Sequence, residues 1–233
     1  MTLLSIVQDA AEEIGFTKPS TVVGNTDQIA TQMFRLLNRE GEILSRHPWE
    51  SLVKEHTFTL TTADQDYAPP AGFRYMIPDS IWNRDHKRPV RNPLTSQEWQ
   101  FYKGWSTVTG LTLRARIRNG ELEFDQTIAA ADNGKTIAYE YVSSYWTKDS
   151  GSTAQGKFAA DTDTGTLNEE LLTQGLVWRF RKAKGLEWQT DYAEYSKEVS
   201  RAKSRDGGSR TLNLNKTVGA YLGANTPEDG FGV

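Results

Sequence analysis

The sequence predicts an α+β protein: a four-helix bundle with a β-rich domain inserted between its second and third helices, then an extended C-terminal arm. Three observations predict it. Two amphipathic helical patterns fill the first 50 residues, and two more follow residue 165. Between them the apolar spacing changes from the helical period to alternation, with turn residues at the boundaries. After Asp206-Gly207-Gly208 no sustained period remains. The predicted division is 1–50 with 165–205 for the bundle, 51–164 for the β-rich domain and 206–233 for the arm.

The first helix rests on Leu3, Ile6, Val7, Ala10 and Ile14, and Gly15 ends it as a residue free to take left-handed backbone angles. The second opens after Thr26 as N-cap. Its face is Ile29, Met33, Leu36, Leu37 and Leu44, interrupted by Glu40 and Gly41, and Pro48 stops it. From about Lys54 to Tyr145 strands and turns are expected. His56, Phe58 and Leu60 alternate with threonines; Asp66 to Phe73 is a proline-rich connector; Arg74 to Trp82 reads as one strand. A short helix opens with Thr95 and Glu98 as a capping box before Trp99 and Tyr102. Asn119-Gly120, set between alternating segments from Leu113 to Phe124, predicts a hairpin, because a type I′ turn needs positive φ at both central residues. Ile137 to Tyr141 is a further alternating strand, and Lys148 to Thr164 is a polar stretch. Thr166 and Glu169 form another capping box before Leu172, Leu176, Phe180 and Ala183, with Gly185 as the end. Asp191 and Glu194 open the last helix, whose face is Tyr192, Tyr195, Val199 and Ala202.

Composition narrows the functional classes. With 37% hydrophobic and 24% charged residues the chain can build a core, and a net charge of −3 gives no reason to expect nucleic-acid binding. The absence of cysteine excludes disulfides, thiolate metal sites and cysteine catalysis. Asp9, Glu12 and Glu13 break the first apolar run, which is not built as a signal peptide. No apolar stretch approaches the ~20 residues that span a bilayer.

No constellation of catalytic or metal-ligating residues stands out, and no cofactor is expected. His47, His56 and His86 are scattered, with no partner at ligand spacing. The phosphate-binding glycine loops and the nucleophile-elbow motif are missing. Asp161-Thr162-Asp163-Thr164-Gly165 opens like a calcium loop, but glycine falls one position early and Leu172 stands where the bidentate glutamate belongs, so a polar loop is expected. Arg114, Arg116 and Arg118 share one strand face. The Asn119-Gly120 turn sets them opposite Asp125, Glu123 and Glu121, and a neutralised ladder is a poor phosphate binder. That face is expected to be solvated or to meet another subunit. Two basic clusters, Arg84 to Arg91 and Arg179 to Lys184, are expected to serve structure before nucleic acid. The seven tryptophans are assigned to core packing and subunit contacts alike.

An ordered set of segments carries a resemblance. It runs Leu36-Leu37-Asn38-Arg39-Glu40-Gly41-Glu42-Ile43-Leu44, Trp49, Lys54-Glu55-His56-Thr57-Phe58, Asp66-Tyr67-Ala68-Pro69-Pro70-Ala71-Gly72-Phe73-Arg74, Trp82-Asn83-Arg84 and Pro93-Leu94-Thr95-Ser96-Gln97-Glu98-Trp99. Phe158-Ala159-Ala160-Asp161-Thr162-Asp163-Thr164, Glu169-Glu170-Leu171-Leu172 and Gly175-Leu176-Val177-Trp178 complete it. Over roughly residues 1–205 the chain resembles the head-to-tail adaptors of short-tailed bacteriophages, the tail tubular protein A and head-completion group. Order and spacing carry the likeness; no single piece is diagnostic, and Ala68 stands where the pattern more often has leucine.

The resemblance implies a structural virion protein at the head–tail junction and not an enzyme. It implies a ring of this chain, typically of twelve copies, docked beneath the portal protein. The ring extends the channel for viral double-stranded DNA without reading its sequence, and it receives the tail nozzle or tail fibre proteins. It assigns portal binding to the C-terminal arm, where Leu212, Leu214, Tyr221 and Leu222 are the candidate anchors. The competing class is a carbohydrate-binding or host-recognition module of the tail, suggested by the aromatic-rich middle. It requires exposed rings forming a sugar platform.

Overall fold

A computed structural model of the chain describes residues 2–92, 94–104 and 113–207. The helices are α1 (Leu3–Ile14), α2 (Gln28–Leu44), α3 (Ser96–Gly104), α4 (Glu169–Lys184) and α5 (Gln189–Arg205). The longer strands are β1 (Val53–Thr59), β3 (Phe73–Met76), β6 (Ala115–Arg118), β7 (Glu121–Phe124) and β8 (Thr136–Ser143). Two-residue strands are β2 (Asp66–Tyr67), β4 (Trp82–Asn83), β5 (Arg88–Pro89), β9 (Thr147–Lys148), β10 (Ala154–Gln155) and β11 (Thr164–Gly165). The described residues form two compact units, one made by residues up to Val53 with those from Val142 onward, the other by Lys54–Tyr141.

The expected four-helix bundle with an inserted β-rich domain is overturned. The chain is mixed α/β, with five α-helices and three small antiparallel sheets among the described residues. A bundle needs four helices that each give an apolar stripe to one central core. Here α4 is the hub, packed on α1, α2 and α5. Helix α5 is too polar to share a core: of its 17 residues only Tyr195 is buried. The stretch from Lys148 to Thr164, expected as polar loop, contributes the sheet β10-β9-β11 to the same unit as these helices. The fifth helix, α3, belongs to the strand-rich unit.

In the helical unit, α1 buries Leu3, Ile6, Val7, Ala10 and Ala11, and Leu3, Ile6 and Val7 each contribute up to ~1.5–3 kcal/mol when withdrawn from water. Thr2 and Ser5 form its capping box, and Gly15 ends it at φ 91°. Helix α2 starts one residue later than expected. Asp27, not Thr26, is the N-cap, its carboxylate accepting from the Ile29 amide at 3.2 Å. It ends at Leu44, ahead of Pro48, where the Trp49 indole donates to the Leu44 carbonyl at 2.8 Å. Asn168 caps α4 in place of the expected Thr166, whose hydroxyl instead donates to the Trp146 carbonyl at 2.8 Å. Asp191 does not cap α5; it lies in the first turn and pairs with Arg181.

In the strand-rich unit the principal sheet runs β1-β8-β4-β5, with β3 also pairing β8. Strand β8 was expected to alternate but is buried on both faces over most of its length, as a central strand must be. The single strand expected from Arg74 to Trp82 is two strands. Pro78 cannot donate to a ladder, and Asp79 turns the chain at φ 60°. The predicted hairpin forms in the predicted register, Arg118 opposite Glu121 and Arg116 opposite Glu123, with Asn119 and Gly120 at φ 52° and 84°. Strand β2 extends it to three strands.

Candidate functional site

The arginine face of the hairpin is covered at its Arg114 end, whereas Arg118, beside the turn, stays exposed. Arg114 pairs with Asp125 at 2.9 Å, both largely buried, and its guanidinium lies 3.9 Å from the centre of the Tyr102 ring of α3. Arg116 donates to Ser96 at 3.0 Å, and Lys103 reaches Glu123 at 3.0 Å. Helix α3, opened by the expected Thr95–Glu98 box, thus clamps the ladder through polar contacts. The basic loop is similarly engaged: Arg84 with Glu55 at 2.6 Å, His86 with Asp132 at 2.9 Å and Arg91 with Glu98 at 2.7 Å.

The calcium-like loop proves to be a tether. Asp161 accepts from the Val22 amide at 3.0 Å and the Val23 amide at 2.8 Å, fixing the loop between α1 and α2. Asp163, buried, accepts from the Ala159 and Ala160 amides at 2.7 and 2.8 Å. Both carboxylates are used on backbone donors. Among the described residues no cluster of three or more His, Asp or Glu side chains is placed to hold a metal ion, and no helix is long and apolar enough to cross a membrane.

The most unusual polar group sits where the α2 stripe looked weakest. Glu40 is fully buried. Arg179 Nε donates to its Oε2 and Tyr195 Oη to its Oε1, so one carboxylate joins α2, α4 and α5. A buried carboxylate costs several kcal/mol unless paired and hydrogen-bonded, and here both oxygens are. Burial, reinforced by the Glu40 charge and hydrogen bond, pushes the Tyr195 phenol far above its ordinary pKa, so it remains a donor. Glycine permits the crossing. A Cβ at Gly175 would fall 2.6 Å from Glu40 Cγ, and one at Gly41 2.0 Å from the Trp146 ring.

Beside this cluster a groove of about 610 Å³ runs between the C-terminal half of α2 and α5. Ile43, Tyr192 and Val199 supply apolar wall, and Arg46, Arg179 and Lys203 supply positive charge. Ile43 and Tyr192 are exposed, at 37% and 44%. Trp178 also lines it, with a buried indole N–H that has no acceptor among the described residues. The basic run at the end of α4 is satisfied locally: Arg181 pairs with Asp191 at 2.6 Å, Lys182 lies 4.5 Å from the Trp188 ring centre and Lys184 5.3 Å from that of Phe180.

Trp49, Trp99, Trp146 and Trp178 are buried, whereas Trp82 and Trp188 are half-buried. In the strand-rich unit Phe58, Tyr67, Phe73, Tyr139 and Tyr141 pack ring against ring. Burial pushes the Tyr139 hydroxyl pKa up to about 12. The expected portal anchors Leu212, Leu214, Tyr221 and Leu222, like Trp105, lie outside the described residues. No protein-family model matches the chain, and no curated protein matches it.

Proposed function

We propose that the protein is a structural subunit of a bacteriophage head-to-tail adaptor, forming a ring on the portal protein and receiving the tail, without catalytic activity of its own. The observation that carries the reading is the ordered set of segments that resembles such adaptors. Supporting it, segments more than a hundred residues apart within that set meet in space. Asn38 brackets Phe158, donating to its carbonyl at 3.4 Å and accepting from its amide at 2.9 Å. Glu40 meets Gly175 and Arg179, and Gly41 lies beneath Trp146, which packs edge-on against Phe158 at 5.1 Å. The likeness therefore falls on residues that hold the helical unit together, the kind of position a shared fold requires.

The sugar-platform alternative has less to stand on. It needs exposed rings, and in the strand-rich unit Tyr75 and Phe101 are the large aromatics exposed among the described residues. Binding to purified portal protein tests the adaptor reading. The full chain should form a stoichiometric ring complex visible in negative stain, and deletion of residues 206–233 should abolish attachment while leaving the helical circular dichroism intact. Failure of the full chain to bind any portal assembly from its own phage contradicts it.

A further inference from the structure

We propose that the groove between α2 and α5 receives the acidic face of α1 from a second copy of this chain, in a head-to-tail contact. The groove calls for an acidic occupant. Arg46 and Lys203 line it, exposed and with no ion pair among the described residues, while Glu40, its one carboxylate, is already held by Arg179 and Tyr195. Ile43 and Tyr192 add exposed apolar surface at its rim. Its α5 wall is a helical stripe of Tyr192, Ser196, Val199, Ser200 and Lys203, with small serines where another helix would approach.

The same helical unit carries the complement. Asp9, Glu12 and Glu13 are exposed on α1. Glu12 pairs with Lys18 at 2.7 Å, whereas Asp9 and Glu13 have no ion pair among the described residues. The placement is locally unfavourable. Like charges four residues apart repel, and carboxylates in a last turn that holds no basic residue oppose the helix dipole. Cations from another molecule relieve both effects, and a local rule broken without internal compensation is the mark of a functional surface. The lengths also match. Helix α1, of 12 residues, is ~18 Å long, and the α5 stripe from Tyr192 to Lys203 rises ~17 Å.

The placement of the two surfaces makes the contact heterologous. Trp178 meets Tyr192 and Tyr195 of α5, with ring centroids 5.0 and 6.1 Å away, while Phe180 meets Phe16, just past α1, at 5.6 Å. Two residues along a helix turn through ~200°, so α5 and the end of α1 lie on nearly opposite sides of α4. One partner cannot engage both surfaces of a copy at once. Each copy therefore gives its α1 face to one neighbour and its groove to another, and such a contact propagates into a ring or a filament. The inference rests on the adaptor reading for closure into a ring; the contact itself rests on charge, exposure and the packing around α4.

Sedimentation velocity of the full chain and of two charge-reversed variants tests the contact. The wild type should self-associate as its concentration rises. D9K/E13K and R46E/K203E alter exposed side chains, so their circular dichroism should match the wild type, and each should weaken self-association by ~10-fold or more. An equimolar mixture of the two variants should regain association, because the unaltered α1 of one fits the unaltered groove of the other. A wild type that is monomeric at every soluble concentration overturns the proposal. So does association that ignores either reversal, and so does a mixture that stays monomeric. Failure here is distinguishable from failure of the adaptor reading. A chain that binds portal protein while its association ignores both reversals overturns this contact alone. Association lost on reversal and regained on mixing, in a chain that never binds portal protein, supports this contact and sinks the adaptor reading.

Discussion

Replacing Gly41 by alanine probes the tightest point of the helical unit. A Cβ built there lies 2.0, 2.3 and 2.4 Å from three carbons of the Trp146 ring. Carbon atoms rest at ~3.5–4.0 Å, so the ring and the α2 backbone must part by about 1.5 Å. Trp146 is fully buried and braced edge-on by Phe158, so it has no room to yield. Overpacking of this kind costs ~1–3 kcal/mol and more where nothing gives, while alanine returns at most ~1 kcal/mol of helix propensity. A net loss of about 2 kcal/mol or more is expected. Urea unfolding followed by far-ultraviolet ellipticity would show it as a midpoint lowered by about 1 M at unchanged slope. Gly104→Ala is the control, because nothing lies within 4 Å of its built Cβ, and it should leave the midpoint unchanged or slightly raised. In a Trp146→Ala background Gly41→Ala should cost far less. A midpoint unchanged by Gly41→Ala alone would refute the close crossing.

Other perturbations address the polar contacts. Tyr195→Phe removes a hydroxyl donor from the buried Glu40 carboxylate and should cost ~1.5–3 kcal/mol in urea unfolding, with Tyr192→Phe on the exposed rim near neutral. Asp161→Ala should destabilise by ~1–3 kcal/mol through the two orphaned amides of Val22 and Val23, and calcium should leave the melting temperature of the wild type unchanged. A calcium-dependent rise would reinstate a metal role for that loop. Burial lowers the His56 pKa below its ordinary 6.5. The unfolded chain therefore binds the proton more readily than the folded one, and this contribution to stability is whole above pH 6.5 and lost as pH falls through the folded pKa. His56→Phe should flatten that part of the pH–stability curve. An imidazole titrating above 6.5 in NMR would contradict the assignment.

How far the sequence could be read depended on whether a signal was local. The hairpin was legible to its register because Asn119 and Gly120 set it with two adjacent residues. The α3 capping box and the glycine ends of α1 and α4 were legible for the same reason. The Glu40 cluster was not. Arg179 and Tyr195 stand 139 and 155 residues from Glu40, and nothing local in the sequence links the three. The signal was the flaw itself, an acid and a glycine side by side in an apolar stripe. The two-residue strands of the β10-β9-β11 sheet are too short to show a period, so Lys148 to Thr164 looked like loop. The periodic stripe of α5 promised a bundle helix. Periodicity records which residues face inward and not how deeply they are covered, and Tyr192 on that stripe is exposed.

The adaptor proposal makes its most direct commitment about place. Electron cryo-microscopy of the native phage particle, with the map interpreted by fitting the helical unit, decides it. The account predicts copies of this chain in a closed ring between the portal and the tail, with α2, α4 and α5 resolved around the Glu40 cluster. A particle that lacks the protein, or carries it away from the portal–tail junction, contradicts the account.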